Sequence, residues 1–478
     1  MAEVRNPDTM GDFQTPSDLA SAVWHSLGSP KVDVLVEPTV GLGVFLSTAP
    51  TTHRNLPWLA YDLNPSYVEH TREIALKEGL IANVRCKSIF DVSHTELKAH
   101  LDGKRVLAIG NPPWITNSAQ GGAAKPNLPR KLNRFGLRGL DAMTGKANFD
   151  IAEAALLATI EALASASEIR LAFLIKRSVA IKMAKDILDT PGIVSVAFSR
   201  IDAMKWFGAA VEAGLFDVTV RPKSRDTTHR LHLAPALGKP PTVEAGLVDG
   251  MFVGDVALYA HSRIVEAASG GGLAWRQGVK HDLAKVLELK QTPEGLVNGF
   301  GECVEIEPDV LCPFFKSSDL AAGRAATRFF PLYQHDLTGP LDELSERWPK
   351  LAVYLDKYRP RFAARRSSIY KDKPEFMLFG IGEYSLVPFK VAVSGFYKQP
   401  HFSVLTPGDG GQPPLVDDTC YMLPFEHLSD AERTADYLNG EEVREFLLSI
   451  ADSTAKRPFT KDILGRISAP HNTTLAAA

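Results

Sequence analysis

The chain has 478 residues, more than one ordinary hydrophobic core accommodates, so two domains are expected. Hydrophobic residues make up 45% and charged residues 23%, which excludes a disordered chain, and no apolar run approaches the roughly 18 residues that cross a bilayer. The formal net charge of −3 excludes a uniformly basic nucleic-acid binder, so any such contact must come from local clusters.

The N-terminal stretch is polar and lacks the apolar core of a secretory signal, so a cytoplasmic location is expected. From residue 19 onward, apolar runs alternate with amphipathic ones. LASAVWHSL reads as a helix, and VDVLVEP (32–38) as a strand ending in an acid. WLAYDLN (58–64), VRCKSIFDV (84–92) and RVLAIGNPPW (105–114) read as three further strands, with a helix in PSYVEHTREIALKEG after the first of them. IAEAALLATIEALAS is helical and RLAFLIKRS (170–178) strand-like. This alternation predicts an α/β, Rossmann-like parallel sheet with helices on both faces. LAPALGKPPTV (233–243) reads as a linker, which sets domains at 1–245 and 246–478, the second a mixed α+β unit rich in aromatics. Cys86, Cys303, Cys312 and Cys420 form no CxxC pair and read as buried thiols, with no metal expected.

After the first strand comes Glu37-Pro38-Thr39-Val40-Gly41-Leu42-Gly43, a G-x-G turn opening toward a helix. Glycines there let the backbone turn sharply and approach a ligand, although the same pair also serves as a plain turn. The second strand ends at Asp62, placed for ribose hydroxyls or for capping the next helix. The third ends at Phe90-Asp91, placed to pack against and bond an adenine ring. Three acids at strand carboxyl ends, where open parallel sheets bind ligands, support one another.

Asn111-Pro112-Pro113-Trp114 follows the fourth strand. An aromatic amine such as adenine N6 is a poor nucleophile because its lone pair is delocalised. Two acceptors near its N–H groups draw the nitrogen toward tetrahedral geometry. The Asn111 side-chain carbonyl can be one and a main-chain carbonyl of the stiff Pro-Pro turn the other. Trp114 offers a flat face for a base.

In this order the motifs resemble the amino-methylating (adenine-N6) DNA methyltransferases of restriction–modification type, with cofactor motifs first and target recognition last. The resemblance implies a class I methyltransferase sheet, S-adenosylmethionine as cofactor and a C-terminal target-recognition domain. It places Phe13, Thr15 and Pro16 over the methionine end of the cofactor, with Glu37, Pro38, Gly41, Gly43, Asp62, Asp91 and Asn111 completing that site. It also implies catalysis at Asn111, Pro112, Pro113 and Trp114, and a second base-stacking ring from Trp206 or Phe207. Ala147-Asn148-Phe149-Asp150 matches the motif that opens a helix beside the cofactor.

A base inside a duplex must flip out to reach such a site. Arg130, Lys131, Arg134 and Arg138 lie in a glycine-rich basic stretch suited to phosphates, and Arg361, Arg365, Arg366, Lys390 and Lys398 are interleaved with aromatics farther on. The implied partners are double-stranded DNA and a separate cognate restriction endonuclease. Rival readings are a cytosine-N4 target, an RNA or protein-amide methyltransferase, and a DNA-binding protein that has lost catalysis.

Overall fold

The computed structural model describes residues 13–114, 150–268, 271–333 and 341–470. The chain divides into two compact units, residues 1–257 and 258–478. No helix among the described residues is long and apolar enough to cross a membrane.

The first unit is built on a ten-stranded sheet. Its strands are β1 (Val34–Glu37), β2 (Trp58–Asp62), β3 (Ala82–Cys86), β4 (Arg105–Gly110), β5 (Glu168–Lys176), β6 (Ile193–Ile201), β7 (Ala213–Val220), β8 (Arg230–Ala234), β9 (Val243–Val248) and β10 (Met251–Val253). They lie in the order β10-β9-β8-β6-β7-β5-β4-β1-β2-β3. Strands β3, β2, β1, β4 and β5 are parallel, and β7 inserts antiparallel between β5 and β6. Every residue of β1 is buried, as expected for a strand covered on both faces. The helices among these strands are α1 (Ser17–Leu27), α2 (Val44–Ser47), α3 (Thr51–Arg54), α4 (Pro65–Lys77), α5 (His94–Leu101), α6 (Ile151–Ala162), α7 (Arg177–Ile187) and α8 (Ala203–Phe207). α1 buries Leu19, Ala20, Val23, Trp24 and Leu27, one face at helical spacing.

After β1 the chain builds outward to β2 and β3, then returns to place β4 on the other side of β1. That reversal opens a crevice at the carboxyl ends of β1 and β4, where Glu37 and Asn111 sit.

Two expectations change here. The third strand stops at Cys86, because the Ser88 hydroxyl accepts the Phe90 N–H and starts a 3-10 turn over Ile89–Asp91. The Pro-rich segment near 240 is no linker. It joins β8 to β9, which pair antiparallel, and β10 continues the same sheet to Val253.

The second unit holds a four-stranded sheet made of β11 (Arg276–Gln277), β16 (Phe389–Ser394), β17 (Phe402–Leu405) and β19 (Cys420–Phe425). A hairpin of β12 (Lys290–Thr292) and β13 (Gly295–Val297) stands apart from it. A three-stranded sheet joins β14 (Leu311–Phe315), β15 (Arg328–Pro331) and β18 (Leu415–Val416). Its core is aromatic, with Phe314 stacked on Phe330 at 5.0 Å between ring centroids.

Candidate active site

A cavity of about 470 Å³ opens at the carboxyl ends of β1, β2 and β4. Glu37, Pro38, Gly41, Asp62, Asn111 and Pro113 line it, as do Phe13 and Thr15 from the segment before α1. Ile89, Phe90, Ile151 and Ala155 give one wall an apolar surface.

Three buried side-chain oxygens on this lining have no hydrogen-bond partner among the described residues: Glu37 Oε2, Thr39 Oγ1 and Asn111 Oδ1. An unmet buried polar atom costs about 1–3 kcal/mol, so three around one cavity point to a ligand rich in donors. Burial holds the Glu37 carboxyl well above the usual carboxylate range, and the charge of Asp62 adds to the effect.

The G-x-G turn is shaped by its glycines. Gly41 and Gly43 have φ of 51° and 68°, the left-handed region that side chains avoid. A Cβ on Gly41 would lie 2.7 Å from Gln14 Oε1, and one on Gly43 2.9 Å from Thr71 Cγ2. Asp62 ties the turn to β2, accepting from Gly41 N at 2.9 Å and Asn64 N at 2.8 Å. Asn64, not Asp62, caps α4, through Ser66 N at 3.0 Å.

The Asn111 amide is fixed from one side. Its Nδ2 donates to the Phe13 carbonyl at 2.9 Å and to Thr15 Oγ1 at 3.3 Å. The carboxamide is thereby oriented with Oδ1 an acceptor that no described residue uses. Trp114 belongs to an aromatic cluster, 5.4 Å from Phe13 and 5.0 Å from Phe207 between ring centroids. Its indole N–H donates to the Leu174 carbonyl at 3.0 Å.

The structure thus gathers most of the expected site residues and sets others apart. Asp91 is exposed on the 3-10 turn and does not line the cavity, whose wall at this point is Ser88, Ile89 and Phe90. Gly43, Pro16, Pro112 and Trp114 also lie behind the lining: Gly43 packs on Thr71, Pro16 caps α1, and Trp114 is only 7% exposed. Of the two candidate stacking rings, Phe207 joins the Trp114 cluster, whereas Trp206 is covered by the Lys205 ammonium 4.5 Å from its centroid.

The structure contradicts one proposed DNA contact and commits a second within the fold. Lys390 is fully buried and donates to the Ser385 and Val387 carbonyls. Arg365 spends its guanidinium on the Phe362, Met377 and Glu375 carbonyls and on the Tyr370 ring. Arg361, Arg366 and Lys398 are exposed. Arg130, Lys131, Arg134 and Arg138 lie outside the described residues. Sequence reasoning missed Thr39, Tyr67, Lys87 and Ser88 as lining residues. Thr39 sits inside the G-x-G run and could have been found there; the other three carry no local signal.

S-adenosylmethionine fits these residues. Its amino group, ribose hydroxyls and adenine amine supply the donors that the unpaired oxygens call for, and its adenine suits the Ile89, Phe90 and Ile151 wall. Fold and site together define a class I S-adenosylmethionine-dependent methyltransferase. The chain is 34% identical over 468 residues to Type II methyltransferase M.NspV from Nostoc sp., covering 96% of this chain and 95% of that protein. Type II methyltransferase M.CvrRI of Paramecium bursaria Chlorella virus XZ-6E is 28% identical over 106 residues, 22% of this chain and 25% of that one. Among solved structures, TrmN from Thermus thermophilus overlaps 43% of this chain and 48% of its own, at 17% identity and a TM-score of 0.28. No family model matches. The chain belongs to the Type II methyltransferase family.

Proposed function

We propose that this chain transfers a methyl group from S-adenosylmethionine to N6 of an adenine flipped out of double-stranded DNA, site-specifically, as the modification partner of a separate restriction endonuclease. The observation that carries the reading is the Asn111 carbonyl oxygen, buried and oriented on the lining of the cofactor cavity with no partner among the described residues. It accepts an N–H of the target amine and draws that nitrogen toward tetrahedral geometry, which localises its lone pair. When bound, S-adenosylmethionine supplies an electrophilic methyl on a good leaving group. Positioning is then the main work of the protein. Glu37, Thr39 and Asp62 hold the cofactor. A carbonyl of the Pro112-Pro113 turn accepts the second N–H. The cluster of Phe207, Trp114 and Phe13, the last of them on the cavity lining, offers the aromatic surface for the base.

The second unit supports a DNA partner. Gln277 Nε2 and Arg457 Nη1 both donate to the Asp418 carbonyl, at 2.6 and 3.2 Å, and Lys280, paired with Asp282 at 2.7 Å, lies 4.0 Å from the Asp418 carboxylate, so these cations are held in place by solvent-accessible partners that a phosphate could replace. Phe396 carries the Lys456 ammonium at 5.5 Å and the Arg457 guanidinium at 5.0 Å. Arg361 covers Phe300 at 5.3 Å. Cations held on aromatic rings beside amide groups suit phosphates and base edges.

The test is transfer from labelled S-adenosylmethionine to unmethylated DNA, followed by digestion to nucleosides. Labelled N6-methyladenine is the expected product. N4-methylcytosine would overturn the base, and label only in RNA or protein would overturn the substrate. Cofactor binding without transfer to any of them would reduce the chain to recognition alone.

A further inference from the structure

The first unit holds a largely buried ion pair that this chemistry does not use. Lys176 ends β5 and Asp150 caps α6; their side chains are 17% and 7% exposed and form a salt bridge. The Lys176 ammonium also donates to the main-chain carbonyl of Trp114 at 3.3 Å. Since the Trp114 indole donates to Leu174, two residues earlier on β5, the exit of the tetrapeptide is tied to that strand at two points. Asp150 in turn accepts the Ala152 N–H at 3.1 Å and so starts α6, whose Ile151 and Ala155 form part of the cavity wall. One ammonium therefore joins the catalytic loop, the end of the sheet and a wall of the cofactor cavity.

Stability does not explain this arrangement. Desolvating such a pair offsets much of its attraction, and an apolar pair of similar volume is often no worse. Geometry does explain it. Lysine has three donors and can serve a carboxylate and a carbonyl together. The two prolines make the loop stiff, so fixing its exit fixes the aim of its carbonyls.

We propose that Lys176 and Asp150 are positioning residues for methyl transfer, a latch that holds the catalytic tetrapeptide in register with the cofactor wall. The proposal rests on the methyltransferase reading above.

Four variants test it: Lys176→Met, Asp150→Asn, the double variant and Lys176→Arg. Asparagine still caps the helix, so Asp150→Asn removes the charge and not the cap. At saturating DNA and cofactor, Lys176→Met and Asp150→Asn are each expected to slow single-turnover transfer about tenfold or more, since small misplacements carry costs of this size. Cofactor affinity by calorimetry should move less than about threefold. The double variant leaves no unpaired buried charge. It should melt like the wild type and be no slower than either single variant. Lys176→Arg should recover most of the rate. Acrylamide quenching reads the loop without turnover, as the difference between each protein and its Trp114→Phe counterpart. Greater access to Trp114 is expected in Lys176→Met.

A double variant with wild-type rate and unchanged Trp114 access overturns the latch. So do single losses that multiply in the double, or losses that only track melting temperature. A wild type that methylates no substrate overturns the methyltransferase reading instead, and the catalytic role with it, while quenching still decides whether the loop is latched.

Discussion

At the residue scale, Asn111 and Glu37 present unmet acceptors of opposite character. Asn111 is neutral and pinned, and the two hydrogen bonds its amide donates hold Phe13 and Thr15 on the cavity rim. Asn111→Ala therefore removes the acceptor and also loosens that rim. Transfer should fall by about two to three orders of magnitude, the scale of losing one preorganised polar group at a reaction centre. Cofactor affinity should weaken only about tenfold, matching two modest hydrogen bonds. Single-turnover rates and calorimetry separate the two effects, and an affinity loss as large as the rate loss would place Asn111 in cofactor binding alone. Glu37 can titrate. Burial, then the Asp62 charge, raises its pKa, so the empty cavity holds the protonated acid at pH values where an exposed glutamate is ionised. A cationic donor entering the cavity favours the carboxylate, so binding expels a proton. Cofactor affinity should then rise with pH through the raised pKa, whereas Glu37→Gln should bind more weakly and without that dependence. Calorimetry in buffers of different ionisation heat counts the proton. Equal counts for wild type and Glu37→Gln would remove Glu37 from the linkage.

At the scale of elements, two backbone details decide what each part of the sheet tolerates. Gly41→Ala meets the end of a flexible glutamine, so its main cost is the left-handed φ, about 1–2 kcal/mol, and a displaced Gln14 at the cavity. Gly43→Ala adds a collision with the β-branched Thr71, which bonds the Gly41 carbonyl and is fully buried. Thermal melting should therefore drop further for Gly43→Ala, while Gly41→Ala should lose relatively more cofactor affinity than stability. The reverse ranking would contradict the packing. In the second unit, β16 buries Lys390, whose pKa burial lowers from the ordinary 10.5 to about 7. Between those values the unfolded chain keeps a proton that the folded one has released, so stability rises with pH across that window and is level below it. Lys390→Met should lack this contribution, a slope difference of at most about 1.4 kcal/mol per pH unit. Denaturant titrations at several pH values give the slopes, and identical slopes would mean that Lys390 is charged in the fold. Neither feature could be read from the sequence to the same degree. The strands β1, β2 and β4 and the acids ending the first two were legible because apolar runs buried on both faces stop abruptly at polar residues. The end of β3 was not, since Ser88 turns the chain inside an apolar run. Lys390 was hidden because FKVAVS alternates like a half-exposed strand, whereas both faces are covered. Lys176 and Asp150 stand on separate elements that only the sheet brings together.

At the scale of the whole molecule, a net charge of −3 gives no general attraction to a polyanion, so DNA affinity must come from a few placed cations. The loops around Asp418 are built for placement. Gly278 has no room for a side chain, its Cβ position lying 2.3 Å or less from the Val416 and Asp417 carbonyls, and Gly380 is as tight against Gly278 itself. Gln277 and Lys280 thus flank a closely packed stretch of backbone, and Arg457 is braced on Phe396. If these groups meet phosphates, each lost contact lowers the salt dependence of binding by about 0.9 in the slope of log affinity against log salt. Lys280→Ala with Arg457→Ala should then weaken DNA binding at low salt and reduce that slope by about 2, with the transfer rate at saturating DNA unchanged. Arg365→Ala should instead lower the melting temperature of the second unit and leave the slope alone, because its guanidinium is committed to carbonyls within the fold. A weaker affinity with an unaltered slope would assign Arg457 to base edges rather than phosphates, and sequencing of the methylated sites would then show relaxed specificity. An unaltered affinity and slope would move the DNA contact off this face of the second unit.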